Sequence, residues 1–261
     1  MKKKLYFGSN LKMYKNVHDT VEYLTRLQEL TADLDREKYE MFIIPSFTSL
    51  MSASEKIDQN LIRLGAQNMC WEEQGQFTGE ISPLMLKELN LQIAELGHSE
   101  RRHVFGEKDQ TLNLKVKAAL AHDFTALLCI GETEEQKEYG ISDEVLRTQL
   151  KIGFFGVSPD EIGKIWVAYE PVWAIGVNGK PATAEYAQEK HHVIRECLVE
   201  IFGEKGAEIP VLYGGSVNPG NANDLIVLPD VDGLFVGRAA WDADKFNVLI
   251  RDAIKTYNEC K

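Results

Sequence analysis

The chain predicts an α/β fold, a single (β/α)8 barrel formed by residues 1–261, on three observations. Short apolar segments of strand length alternate with longer stretches of helical period. Eight such strand segments can be counted, and no low-complexity linker interrupts them. The alternation implies a parallel sheet covered by helices, and eight strands select the closed barrel over an open doubly wound sheet. The length fits, because α/β barrels of roughly 250 residues are single domains.

In chain order, strands are expected at Leu5 to Phe7, Met41 to Ile44, Ile62 to Leu64, Gln92 to Leu96, Thr125 to Ile130, Ile165 to Tyr169, Pro210 to Tyr213 and Val231 to Val236. The segment Ile165-Trp166-Val167-Ala168-Tyr169 is apolar throughout, the pattern of a strand buried on both faces. Between the strands, Val17 to Leu34, Leu112 to His122, Ala184 to Phe202 and Lys245 to Tyr257 repeat apolar residues near i, i+3, i+4, as amphipathic helices do. Thr183 precedes Ala184-Glu185 and Ser142 precedes Asp143-Glu144, so both are expected as helix N-caps with acidic first turns.

Composition narrows the function. With 44% hydrophobic and 26% charged residues the chain reads as an ordinary globular protein. Forty acidic against 29 basic residues give a net charge of -11, which disfavours a nucleic-acid or anionic-membrane surface. An anionic small substrate therefore needs a local electropositive pocket. The longest apolar runs, such as Ala126 to Ile130, are strand-sized, and Met1-Lys2-Lys3-Lys4 is not followed by the apolar region of a secretory signal. A cytoplasmic location is expected. Cys70, Cys129, Cys197 and Cys260 show neither zinc-site nor disulfide spacing and are expected as reduced thiols. Gly179-Lys180 lacks the upstream glycine of a P-loop and runs into Pro181.

In a barrel of this kind chemistry sits at the carboxyl ends of the strands. Glu170 ends the sixth strand and is followed by Pro171-Val172-Trp173 and Ala174-Ile175-Gly176, which reads as a hinge and the tip of a lid. An isolated acid there is more often a solvated loop residue, but a hinge behind it is how a base is delivered to a closing site. His98 follows the fourth strand and leads into the charged run Ser99-Glu100-Arg101-Arg102; the other histidines, His18, His103, His122, His191 and His192, are expected as surface or satisfied core residues. Lys12 lies two residues past Asn10 at the first strand end, and Gly214-Gly215 forms a turn whose freed N–H groups suit an anion.

These residues fall in motifs: N-x-K-M at Asn10 to Met13, GAQN at Gly65 to Asn68, FTGE at Phe77 to Glu80, GHSERR at Gly97 to Arg102, CIGE at Cys129 to Glu132, then AYEPVWAIG and YGGSV. In content and order the set closely resembles the triosephosphate isomerase family over nearly the whole chain. The resemblance implies Glu170 as base, His98 as electrophile and proton shuttle, Lys12 as electrostatic stabiliser paired with Glu100, and Asn10 as an orienting group. It implies that Cys129 packs against the base without chemistry. Backbone N–H groups of Gly176, Ser216, Gly237 and Arg238 would hold a substrate phosphate. The TIM barrel of this family needs no metal and no organic cofactor, and it usually forms a homodimer through the loop matched by Phe77, Thr78 and Gly79. The implied reaction is interconversion of dihydroxyacetone phosphate and D-glyceraldehyde 3-phosphate through an enediolate, a step of glycolysis and gluconeogenesis.

The departures cluster around the site. The family's lid, AIGTGKTAT, reads AIGVNGKPAT here from Ala174 to Thr183, one residue longer and with Pro181 stiffening its second hinge. Arg238 stands at the second glycine of the family's G-G-A turn, with its side chain either supporting the phosphate or pointing to solvent. Leu11 replaces the customary Trp and Gln76 the customary Ala. Such a pattern resembles the branch that isomerises four-carbon ketose phosphates, between L-erythrulose 1-phosphate and D-erythrulose 4-phosphate. That reading ranks second to the triose reaction. A third is an inactive barrel serving as a phosphate-ligand binding or scaffold protein, against which stands the joint presence of Asn10, Lys12, His98, Glu100 and Glu170.

Overall fold

Strands that are apolar on both faces must be covered on both faces, and the chain achieves this by closing its sheet on itself. The computed structural model describes residues 4–176 and 179–260, so Val177 and Asn178 of the lengthened lid lie outside the described residues. The strands are β1 (Leu5–Asn10), β2 (Tyr39–Ile44), β3 (Arg63–Ala66), β4 (Ile93–Leu96), β5 (Thr125–Ile130), β6 (Ile165–Tyr169), β7 (Val211–Tyr213) and β8 (Gly233–Phe235). Each pairs in parallel with the next, and β8 pairs back onto β1 with Tyr6 opposite Gly233. This is the expected (β/α)8 barrel.

Alternate residues divide the core in two. Phe42, Ile44, Ile93, Leu127, Trp166, Leu212 and Phe235 fill the barrel interior, with Tyr6 at its edge. Their neighbours, such as Phe7, Ile43, Leu128 and Val167, point outward into the larger cluster shared with the helices. Those helices are α1 (Val17–Thr31), α2 (Phe47–Lys56), α3 (Pro83–Glu88), α4 (Ser99–His103), α5 (Asp109–Ala121), α6 (Glu134–Glu138), α7 (Ser142–Gly153), α8 (Ala184–Phe202), α9 (Ala222–Ile226) and α10 (Ala243–Cys260). Among the described residues no helix is long and apolar enough to cross a membrane.

Several element bounds shift by one to three residues, among them β1, which runs on to Asn10, and α1, which ends at Thr31. The expected cap at Thr183 forms, its hydroxyl accepting the Tyr186 N–H at 3.2 Å. Ser142, in contrast, is the first residue of α7, with Ile141 at the cap position; its hydroxyl lies 3.2 Å from the Tyr186 hydroxyl instead. The third strand begins at Arg63 rather than Ile62, because the Ile62 N–H is spent in a turn on the Asp58 carbonyl at 3.1 Å. Because every strand is parallel, the carboxyl ends of all eight meet at one mouth of the barrel.

Candidate active site

Glu170 follows β6 directly, and its position is set by the backbone on both sides. Its N–H donates to the Ile130 carbonyl at 2.7 Å, while the Gly214 N–H donates to the Tyr169 carbonyl at 2.8 Å. A Cβ at Gly131 would lie 2.0 Å from the Glu170 carbonyl oxygen, and one at Gly214 would lie 2.8 Å from Glu170 Cγ. The two glycines thus admit the acid between neighbouring strand ends. The residue is only 3% exposed, with Oε1 at 3.7 Å from His98 Nε2 and Oε2 at 3.5 Å from the Ser99 N–H.

His98 caps α4, its Nδ1 accepting the Glu100 N–H at 3.2 Å. That bond needs a lone pair on Nδ1, which assigns the ring proton to Nε2, the nitrogen facing Glu170. Lys12 reaches Glu100 across the mouth, Nζ to Oε1 at 2.7 Å. Burial alone would raise the Glu100 carboxyl, yet the Lys12 hydrogen bond and the neighbouring His98 and Lys12 hold it below its usual value. Asn10 is buried beside them, its Oδ1 accepting the Lys12 N–H at 2.6 Å and Gln67 Nε2 at 3.1 Å.

One buried acid of the site is not anticipated by the sequence. Glu95 points into the barrel from the middle of β4, fully buried, and accepts Asn10 Nδ2 at 2.7 Å and the Cys129 thiol at 3.8 Å. Burial, then the nearby Glu170 charge, pushes its pKa well above the usual carboxylate range. Burial and the charges of Glu170 and Glu95 likewise push the Cys129 thiol up. Cys129 therefore sits behind the site as an inert thiol, hydrogen-bonded to Glu95. An acid at an inward position of an apolar strand was the available signal. The donor atoms of Glu95, His98 and Glu170 lie within 4.8 Å of one another, so the trio could ligate a cation, at the cost of the lone pairs that would accept protons.

The hinge is anchored by a further buried acid. Glu132 accepts Trp173 Nε1 at 2.9 Å, the Tyr186 hydroxyl at 2.8 Å and the Tyr169 hydroxyl at 3.1 Å, and its carbonyl accepts the Val172 N–H at 2.9 Å. Beyond the hinge, Gly176 (φ 86°), Ser216, Gly237 and Arg238 line the same cavity of about 790 Å³ as Asn10, Lys12, His98 and Glu170. Among the described residues no acceptor takes the backbone N–H of any of these four. Arg238 is exposed, and its guanidinium has no ion pair among the described residues. One end of the cavity thus offers unpaired N–H donors and a cation. The other offers a carboxylate, an imidazole N–H, an ammonium and an amide, suited to moving a proton beside a carbonyl.

The family model described as triosephosphate isomerase matches residues 5–253. The chain belongs to the triosephosphate isomerase family. Membership carries the enzyme class, a sugar-phosphate isomerase that moves a carbonyl between neighbouring carbons. An L-erythrulose-1-phosphate isomerase of Rhizobium etli is 49% identical over 251 residues, 95% of this chain and 92% of that protein. One of Brucella abortus is 43% identical over 255 residues, 97% of this chain and 98% of that protein. A triosephosphate isomerase of Clostridium tetani is 40% identical over 249 residues, covering 95% and 96% of the two chains. Within this triosephosphate isomerase-family site, the positions that the motifs single out as chemical lie together; of the departures, Arg238 lines the cavity, Leu11 is buried between Asn10 and Lys12, and Gln76 is exposed in the loop after β3.

Proposed function

We propose that the enzyme interconverts L-erythrulose 1-phosphate and D-erythrulose 4-phosphate. This reverses the order in which the sequence alone ranks the two substrates. The observation that carries it is the naming of relatives that are 49% and 46% identical over nearly their whole lengths as L-erythrulose-1-phosphate isomerases. The inner residues cannot choose between three and four carbons, because both reactions need the same groups.

In the proposed reaction Glu170 removes the proton on C3, next to the C2 carbonyl. The electron pair of that C–H bond becomes the C2–C3 double bond of an enediolate, and the negative charge moves to the C2 oxygen. The Nε2–H of His98 and the Lys12 ammonium stabilise that oxygen, and His98 relays a proton between the two oxygens. Glu170 then returns its proton to C2, leaving the carbonyl on the former C3. Asn10 orients the oxygens. The N–H groups of Gly176, Ser216, Gly237 and Arg238 hold the phosphate, whose binding energy closes the lid and excludes water. The extra hydroxymethyl group lies on the carbon that loses its proton, so the phosphate grip is common to both substrates. A cytoplasmic homodimer is part of the proposal: Cys70, Cys129 and Cys197 are buried free thiols, and Phe77, Met13, Val104 and Phe105 leave apolar surface exposed for a second copy to cover.

The purified enzyme assayed with both substrates tests the reading. A kcat/KM for L-erythrulose 1-phosphate about 10- to 100-fold above that for dihydroxyacetone phosphate is expected, the span one extra carbon can supply. The reverse ratio would make it a triosephosphate isomerase.

A further inference from the structure

Lys12 stands in a conformation that few side chains adopt. Its φ is 51°, a left-handed value that among the described non-glycine residues is shared only by Asn90 and Asp123. Such a backbone persists only where the surroundings over-determine it. On one side Gln67 does so, its Nε2 donating to the Lys12 carbonyl at 2.8 Å, while the Leu11 N–H donates to the Ile44 carbonyl at 3.0 Å. On the other side stands Trp241. Its Nε1 donates to the Asn10 carbonyl at 3.0 Å, and its ring lies against Tyr14 with centroids 4.4 Å apart.

Trp241 ends the same short turn that carries Gly237 and Arg238. The Ala240 N–H donates to the Gly237 carbonyl at 2.9 Å and the Trp241 N–H to the Arg238 carbonyl at 3.2 Å. The turn is fixed from below by the Tyr23 hydroxyl, which donates to the Ala240 carbonyl at 2.7 Å. One rigid bracket thus runs from the phosphate-end N–H groups, through an indole N–H, to the backbone carrying Asn10 and Lys12. A phosphorylated ketose must touch both ends at once, so the span between them is a catalytic variable.

We infer that Trp241 is a positioning residue, which sets Asn10 and Lys12 at the right distance from the phosphate-binding turn; this rests on the reading of the cavity under Proposed function. Its ring makes no chemical contribution of its own. It acts through the main chain of the β1 end.

The test compares wild type with Trp241→Phe, which keeps an aromatic ring and removes the N–H. Affinity is measured for inorganic phosphate, which occupies one end, and for 2-phosphoglycolate, which carries a carboxylate to the other. Trp241→Phe should weaken 2-phosphoglycolate at least about tenfold, as expected for sub-ångström misplacement of a charged partner, and leave inorganic phosphate within about twofold. On whichever sugar phosphate the wild type isomerises, kcat should fall more than KM changes. Equal retention of both ligands overturns the inference, and so does equal loss of both, which would mark general damage to the turn. If Trp241→Phe does not fold, β-(3-benzothienyl)alanine at position 241 replaces the N–H by sulfur at nearly constant shape, with the same outcomes read the same way. Because the ligand comparison needs no turnover, an enzyme silent on both substrates would count against the proposed reaction and leave the positioning role still decided.

Discussion

The two ends of the cavity are built differently. At the inner end, Asn10, Glu95, His98 and Glu170 are buried side chains whose functional atoms are fixed by other side chains and backbone from β1, β4, β5 and β6. At the outer end, Gly176, Ser216, Gly237 and Arg238 offer backbone N–H groups on turns, and Arg238 is exposed. A side chain that performs chemistry cannot be exchanged without losing it, whereas a backbone N–H survives a change of residue. The difference teaches where specificity can drift: the outer turns carry the lengthened lid and the Arg238 departure, while at the inner end the departure, Leu11, is a buried apolar residue between Asn10 and Lys12 and the polar side chains of the motifs are unchanged.

The largest test of this contrast is Glu170→Gln. The amide keeps the size of the acid but cannot accept the substrate proton, so kcat should fall by about 10³-fold or more. Affinity for inorganic phosphate at the outer end should stay close to wild type. If phosphate affinity falls with kcat, the two ends are not separable and the comparison breaks.

A smaller effect is expected from Arg238→Gly at the outer end. The backbone N–H remains and only the side-chain charge is lost, so inorganic phosphate and 2-phosphoglycolate should both weaken by about fivefold, the upper scale of an exposed ion pair. The loss should shrink at high salt, as for any exposed charge. Unaltered affinity would make the arginine a solvent-facing residue and leave the phosphate to the backbone alone.

The same division explains what was legible in the sequence. β5 and β6 appear with the expected bounds because nothing but a buried strand accommodates those apolar runs. The four long amphipathic helices are likewise close to expectation, with α8 matching at both ends. The ten-residue α2 was hidden because its buried positions are Ser49, Leu50 and Ala53, which leave little apolar period to read. In α7 the buried stripe includes Gln149, whose amide accepts the Gly131 N–H at 2.8 Å and donates to the Gly131 carbonyl at 3.1 Å, bracing the strand end beside Glu170. Motif positions pointed to Glu170, His98, Lys12 and Asn10, which line one cavity. Glu95 and Trp241 escaped because their meaning depends on partners distant in the chain, Asn10 in both cases.

Glu95 also supplies the finest test of the inner end. Its folded-state pKa is raised above the usual 4.5 by burial first and by Glu170 second, so the folded protein holds a proton there that the unfolded chain releases. The stability from this group is therefore fully present below the ordinary carboxylate value and is lost as pH rises through the folded one. Glu95→Gln mimics the protonated acid without titrating: its amide oxygen can accept Asn10 Nδ2, and its NH₂ can face the Cys129 sulfur. The variant should gain in Tm relative to wild type as pH rises, the gap widening by a few degrees between acid and alkaline buffers. Thermal unfolding of both proteins across that range reads the gap directly. A gap that stays constant with pH would mean that Glu95 binds and releases its proton alike in the folded and unfolded protein, so that the buried acid is not held neutral by its surroundings. A widening gap would show that the inner end keeps a carboxyl group protonated beside the one carboxylate proposed to act as base, so that Glu170 faces no second negative charge when it takes its proton.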